Sequence, residues 1–549
     1  MARGSWRKRF TLQTWFQLTL PAYAKIRGSV RTCNSRSRYA ECLLLSCGIK
    51  IRIVLQSYRR LFGVLRDRRT GCWLVLIGFL IALAALPARA QTPDPQWPGP
   101  PPDPARPPLN PFPAEQNWSF LADSSKRTDF FDPVKYIPLG ENPQPYLSLG
   151  LEYRVEYEYF DNWMFGAVAQ DHNGYVMNRA MPHFDFHAGR YFRLFSEFEF
   201  DFEDGRNGGP RPQIDEDRGD VHQAFVEIGS HVSSEHGISL RAGRQEIVLG
   251  TGRLLDNNEG PTVKLTFDGF RFIAESARVR LDLFAIKPVL NNLGFFDDVP
   301  IHAESLWGSY LTVPAPIVNG GNADIYYIGA DTKSATYNRG TAPEVRHTVG
   351  ARVFRPIGKG LDYNWEPNLQ WGSFGGASIR AWSVSTETGY TFDRVRFHPR
   401  PTLRADVYSG DGNSANQSLG TFNSLFPRGC YFTPKMVPTF GPQNLIDLHP
   451  LIQFQLRANI TGALAWDWYW RESTHDGIYA FGSGVLIDPA SASGARYLGN
   501  QGDLEIRWSP VPHVILAFNL AGFEPGPFFH MLTHDAAPIF GNAGFTYRF

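Results

Sequence analysis

The stretch YLSLGLEYRVEYEYF, Tyr146 to Phe160, decides the fold. Leu147, Leu149, Leu151, Tyr153, Val155, Tyr157 and Tyr159 alternate in it with Ser148, Gly150, Glu152, Arg154, Glu156 and Glu158. Successive side chains of an extended strand point to opposite faces, so this strand has one apolar, ring-rich face and one charged face. Strands of soluble sheets run to about five or six residues, whereas a tilted strand needs about nine to eleven to cross a bilayer core. The run is long enough to cross, which places the apolar face against lipid.

The same two-residue period returns along the chain. Phe198, Phe200 and Phe202 alternate with Glu197, Glu199, Asp201 and Glu203; Leu403, Ala405 and Val407 with Thr402, Arg404 and Asp406; Leu464, Trp466, Trp468 and Trp470 with Ala465, Asp467, Tyr469 and Arg471. After residue 90 no run reaches the roughly eighteen apolar residues of a membrane helix, which excludes a helical membrane protein. A sandwich or propeller would also alternate. Three features favour a transmembrane antiparallel β-barrel: an export signal, a later chain almost without cysteine, and Tyr and Trp near strand ends, where membrane barrels carry aromatic girdles. Long polar segments such as 409–441 also alternate with tight connections such as Pro510 to His513.

The formal charge of +1 over 549 residues conceals two unlike parts. Residues 1–90 hold 17 of the 54 basic and 2 of the 53 acidic residues, which leaves 37 basic and 51 acidic in the remainder, a balance of −14. That balance argues against nucleic acid as a partner. Cys33, Cys42, Cys47 and Cys72 fall in the first part and Cys430 alone in the second, so no disulfide forms within the later part. Residues 66–90 read as a signal peptide: Arg66, Arg68 and Arg69 flank an apolar run from Cys72 to Leu86, and Ala88-Arg89-Ala90 is a small-residue cleavage site. Residues 1–65 are Arg-rich and aperiodic, either a stretch before the true start codon or a long basic extension of the signal. Residues 91–116, which include QTPDPQWPGPPPDPARPPLNPFP, read as an extended proline-rich tether, not a packed element. Residues 117–549 form the barrel domain.

The chain ends GFTYRF, with Phe545, Tyr547 and Phe549 on one face. A terminal Phe on an alternating aromatic strand resembles the signal read by the barrel assembly machinery. Sheet closure leaves no free edge, as lipid requires.

Other chemistry is not indicated. His183, His187, His222, His513, His530 and His534 repeat no zinc spacing. Ser409-Gly410-Asp411-Gly412-Asn413 lacks the closing acid of a calcium loop and reads as a turn. There is no nucleophile elbow or phosphate loop. No catalytic residue, metal or cofactor is expected.

From Trp118 to Phe549 the chain resembles the alginate export family of Gram-negative outer-membrane barrels. The resemblance lies in WSFLAD (Trp118 to Asp123), DPVKYIPLG (Asp132 to Gly140), GRQEIVLGTGRL (Gly243 to Leu254), EGPTVKLTFDGFR (Glu259 to Arg271), GTFNSLFPRGCYF (Gly420 to Phe432), NLIDLHP (Asn444 to Pro450), WYWRES (Trp468 to Ser473) and the closing TYRF. It implies a monomer of about eighteen strands, with a basic pore constricted by loops that passes an anionic polysaccharide outward, in company with periplasmic export partners. An arginine fork takes a carboxylate bidentately at any pH, and weak repeated contacts let a polyuronate move on. Strand phase offers Arg154, Arg193, Arg280, Arg352, Arg404, Arg457, Arg471 and Arg507 as pore candidates; the resemblance adds Arg244, Arg253, Arg271 and Arg428. Salt bridges within the wall are the competing role for each arginine. A porin for small solutes and an outer-membrane barrel enzyme are the alternatives.

Overall fold

Strands long enough to cross a bilayer follow one another from Tyr146 to the end of the chain. The computed structural model describes residues 109–549 apart from 141–144, 168–172, 231–236, 277, 316–319, 414, 430–440, 482–485 and 533–534. Residues 66–90, read above as a signal peptide, the stretch 1–65 and Cys430 lie outside the described residues. Among the described residues one sheet holds 21 strands. Three of these are two-residue pairings at Ile137–Pro138, Val299–Pro300 and Ser418–Leu419, so the wall has eighteen long strands. They are β1 (Tyr146–Asp161), β2 (Tyr175–Ala188), β3 (Phe192–Asp204), β4 (Asp217–Gly229), β5 (Gly237–Gln245), β6 (Phe267–Glu275), β7 (Arg280–Leu290), β8 (Glu304–Ala315) and β9 (Gly321–Tyr337). The second half comprises β10 (Gly340–Arg355), β11 (Gly360–Phe374), β12 (Ala377–Thr391), β13 (Arg400–Tyr408), β14 (Leu445–Arg457), β15 (Ile460–Arg471), β16 (Tyr497–Val511), β17 (Val514–Pro525) and β18 (Ile539–Arg548).

Each long strand pairs antiparallel with the next, and β18 pairs back on β1 from Glu152↔Arg548 to Asp161↔Ile539. The barrel is closed. Its two faces are the reverse of a soluble protein's. In β1, Glu152, Arg154, Glu156 and Glu158 are buried, while Tyr153 and Tyr157 are exposed; farther round, Leu369 is 61% and Trp466 47% exposed, against 0% for Arg179 and Asp467. Charge faces in and rings face out, which suits lipid outside and water within.

The start of β1, the end of β18 and turns such as 189–191 and 512–513 share one rim; the long connections 162–174, 205–216, 246–266, 291–303, 409–444, 472–496 and 526–538 share the other with the tight turns 338–339 and 375–376. Several of these fold back into the lumen. They carry a buried apolar cluster that includes Leu254, Leu255, Phe422, Leu425, Tyr479, Phe528 and Phe529, so the core of the described chain lies inside the barrel toward the long-loop rim.

The closing seam is fastened at the short-turn rim. Leu151 and Phe549 exchange backbone hydrogen bonds of 3.2 and 3.1 Å. The Phe549 ring stacks on Phe131 at 4.4 Å, and the Lys135 ammonium lies 5.1 Å from the Trp118 ring and 5.5 Å from Phe549. Asp129 meets His513 Nε2 at 2.8 Å. The last residues of the proline-rich stretch depart from the tether reading. Ala114 is buried with Phe195 and Phe225, and the Glu115 carboxylate accepts from Arg241 at 3.2 Å. An acidic side chain next to an arginine-bearing wall gains a charge-assisted bond that a solvated linker lacks.

Candidate functional site in the lumen

The inner wall of β1 to β10 is rich in guanidinium groups because every second residue faces inward. Cross-strand register aligns Tyr146, His187, Arg193, Glu227, Arg241 and Arg271 on β1 to β6 in a single row. Arg193 binds Asp185 through two bonds of 2.7 and 2.9 Å and stacks on Phe195 and Phe225. Arg241 donates to Glu227 at 2.9 Å. Arg271 and Arg280 share Asp282 at 2.7 and 2.8 Å. Arg352 reaches Asp324 at 3.0 Å and lies 3.7 Å over the Phe354 ring. Arginine keeps its charge when buried, and a carboxylate partner offsets the lost hydration.

Two loops cross this lumen. The first, 246–266, is held at the seam: Arg154 donates to the carbonyls of Glu259 at 3.1 Å and Pro261 at 2.5 Å, and Arg179 to that of Thr262 at 3.2 Å. On the far wall Arg253 of the loop donates to Glu366 of β11 at 2.7 Å. Glu259 also meets Arg179 at 2.8 Å, Lys264 at 2.7 Å and Arg548 at 3.5 Å. Burial opposes its charge, but Lys264 and Arg179 outweigh burial and hold the carboxyl at about 2. Burial pulls Lys264 down, but Glu246, at 3.5 Å, and Glu259 together raise it. Burial pushes the Asp256 carboxyl up, although Arg428 lies 2.9 Å away.

The second loop, 409–444, lies against the first. Leu255 and Phe426 form a parallel β-bridge, Phe426 N donates to Leu254 O at 3.0 Å, and Arg428 N to Gly252 O at 2.7 Å. Fully buried Arg346 of β10 fixes it, donating to Thr421 O at 3.0 Å and to Gln370 at 2.7 Å. Below the first loop remains a cavity of about 80 Å³. Arg241, Arg271, Arg280 and Arg352 line it, and Phe112, Ala114 and Glu115 floor it.

Across the barrel the wall is acidic. Asp406 pairs in register with Asp447, and Asp467 and Asp503 follow on β15 and β16. All four are buried, and neither Asp447 carboxylate oxygen has a hydrogen-bond partner. The lumen therefore carries most of its guanidinium groups on one side and a cluster of buried carboxyl groups on the other.

A family model described as alginate export matches residues 145–539. The chain belongs to the alginate export family. Together with the closed barrel, membership makes it an outer-membrane channel. Solved Pseudomonas aeruginosa structures similar to this family member include OccD3 (OpdP), at 10% identity and TM-score 0.49, covering 76% of this chain and 93% of that one. OpdK with vanillate is similar at 12% identity and TM-score 0.48, over 73% and 98%. OccK11 (OpdR) is similar at 13% and 0.45, over 74% and 95%. No curated protein sequence matches the chain.

Of the twelve arginines expected in the pore of this alginate export family member, Arg154, Arg193, Arg271, Arg280, Arg352 and Arg404 are on inward positions, and Arg404 donates to Glu387 at 3.0 Å. Arg253 and Arg428 are in the lumen on the two crossing loops. Arg244 is different. It shares the phase of exposed Ile238 and Leu240 and binds Asp268 at 2.9 Å at the end of β5, so it is part of the rim. Arg457 and Arg507 have inward phase but sit at the short-turn mouth and are exposed. Arg471 is fully buried and gives its donors to backbone carbonyls, Ser493 at 2.7 Å and Asp476 at 2.9 Å among them, thereby holding loop 472–496. Sequence reasoning missed Arg179, Arg241, Arg346 and Arg400, all buried in the lumen. The alternation around Leu240 and Arg241 was a usable signal; around Arg179 the inward Met177 and Met181 obscured it. Asp220, Asp297 and Asp298 are the group of acids close enough to hold a cation among the described residues, and Arg244 already lies 3.6 Å from Asp220.

Proposed function

We propose that the chain conducts carboxylate-bearing solutes across the outer membrane, an anionic polysaccharide of the polyuronate type being the cargo that its family points to. The observation that carries this reading is the set of guanidiniums of Arg241, Arg271, Arg280 and Arg352 around the cavity beneath the crossing loops. A polymer passes only if loops 246–266 and 409–444 move apart, whereas a small anion needs a lesser shift. The small cavity thus favours, as a second reading, a porin for small anionic solutes. In either reading the arginines bind and release; no catalytic step is assigned to them. The chain acts as a monomer, and Phe545, Tyr547 and Phe549 address it to the barrel assembly machinery.

The test is reversal potential across a planar bilayer under a salt gradient, repeated with oligouronate on one side. Anion selectivity with uronate block is expected. Cation selectivity unaffected by uronate would overturn the reading.

A further inference from the structure

We infer that Arg193, Arg241, Arg271 and Arg280 form a carboxylate-binding station, and that the chain's own Glu115 occupies it, making residues 112–115 a displaceable internal plug. This rests on the anion-channel reading above.

Four observations converge. The Glu115 carboxylate is bonded to fully buried Arg241 at 3.2 Å, Arg271 and Arg280 line the same cavity as Glu115, and Arg193 shares the Glu227 carboxylate with Arg241. The other carboxylates around the cavity belong to wall strands, as Asp282 and Asp324 do, or to the crossing loop, as Glu246 does, whereas Glu115 arrives on a separate segment that forms no part of the sheet. Phe112, Ala114 and Glu115 floor the remaining cavity, so the segment lies where a solute from the short-turn side would enter. Residues 112–115 themselves are a three-residue 3-10 turn, Pro113–Glu115, with one buried alanine against Phe195 and Phe225, while Leu109 and Trp118 on either side anchor the segment in a cluster with Leu121, Tyr136 and Tyr146, so that a displacement is confined to the short span between the two anchors. A carboxylate group carried on a removable segment and seated among arginines stands in the place of the carboxylate of a uronate. Solutes bearing a carboxylate therefore compete with Glu115, and binding of cargo and withdrawal of the plug are one exchange.

The experiment records full-length protein and Glu115→Gln in planar bilayers, with glucuronate as probe and reversal potential measured in the same membranes. The variant loses a charge-assisted bond, so open probability should rise about tenfold and half-block by glucuronate should need about tenfold less probe. Anion selectivity in both proteins with identical opening and identical glucuronate block overturns the plug while leaving the channel reading intact. Cation selectivity in both overturns the channel reading and the station with it. A second variant pair, Ala114→Cys with Phe225→Cys, ties the segment to the wall. Oxidation should abolish openings and reductant restore them; openings unchanged by oxidation overturn the plug.

Discussion

Glu259→Gln is the sharpest perturbation of the constriction. Its carboxylate gathers Arg179 at 2.8 Å, Lys264 at 2.7 Å and Arg548 at 3.5 Å, and so pins loop 246–266 to the seam between β18, β1 and β2. Glutamine keeps the shape and removes the charge. Taking one partner from a buried ion pair costs about 3–5 kcal/mol, and exposed pairs are worth under about 1; with 28% of the Glu259 side chain open to water, about 2 kcal/mol is expected. That raises the population of the displaced loop about thirtyfold. Single-channel recording should then show longer and larger open events, and limited proteolysis should cut within 246–266 sooner. The wild-type protein has its own titration to match. The folded carboxyl sits at about 2, below its ordinary 4.5, so its contribution is complete above pH 4.5 and fades as pH falls toward 2. Wild-type openings should approach those of the variant across that window, and the variant should lack the window. Identical conductance, gating and loop protection in the two proteins at neutral pH would refute the assigned role of the carboxylate.

Two further outcomes follow from the wall. Leu369→Arg puts a charge at a 61% exposed position in the middle of β11 and should cost about 2–4 kcal/mol in a lipid-denaturant titration, while the same change in a loop should cost little. Arg471→Ala leaves the carbonyls of Ser493 and Asp476 without their donor and should release loop 472–496, read as faster proteolysis there with the melting of the barrel unchanged.

The wall was legible because a two-residue period has one physical meaning, and lipid outside with water inside fixes which face is which. Glu152 and Tyr153 needed only that rule. The arginines needed more. Phase says that a side chain points inward but not how far along the strand the lumen narrows, so Arg457 and Arg507 fell at the mouth. Arg244 entered by resemblance of its segment rather than by phase, and its phase was opposite. The partner of each arginine depends on neighbours brought together by closure, as when Arg253 crosses to Glu366, 113 residues away. The inward fold of the long loops had a fainter signal in Leu254, Leu255, Phe422 and Leu425, apolar residues with no reason to sit in an outer, solvated loop.

The clasp at the short-turn rim also sets an order of events in time. Asp129 and His513 are 384 residues apart, and Phe131 must wait for Phe549 at the end of the closing strand. The clasp is thus completed late, since loop-closure entropy disfavours joining segments so distant until the intervening strands have zipped. Docking of residues 129–131 therefore reports that β18 has closed on β1, and loss of Phe549 removes the ring on which Phe131 stacks while leaving Asp129 its contact with His513.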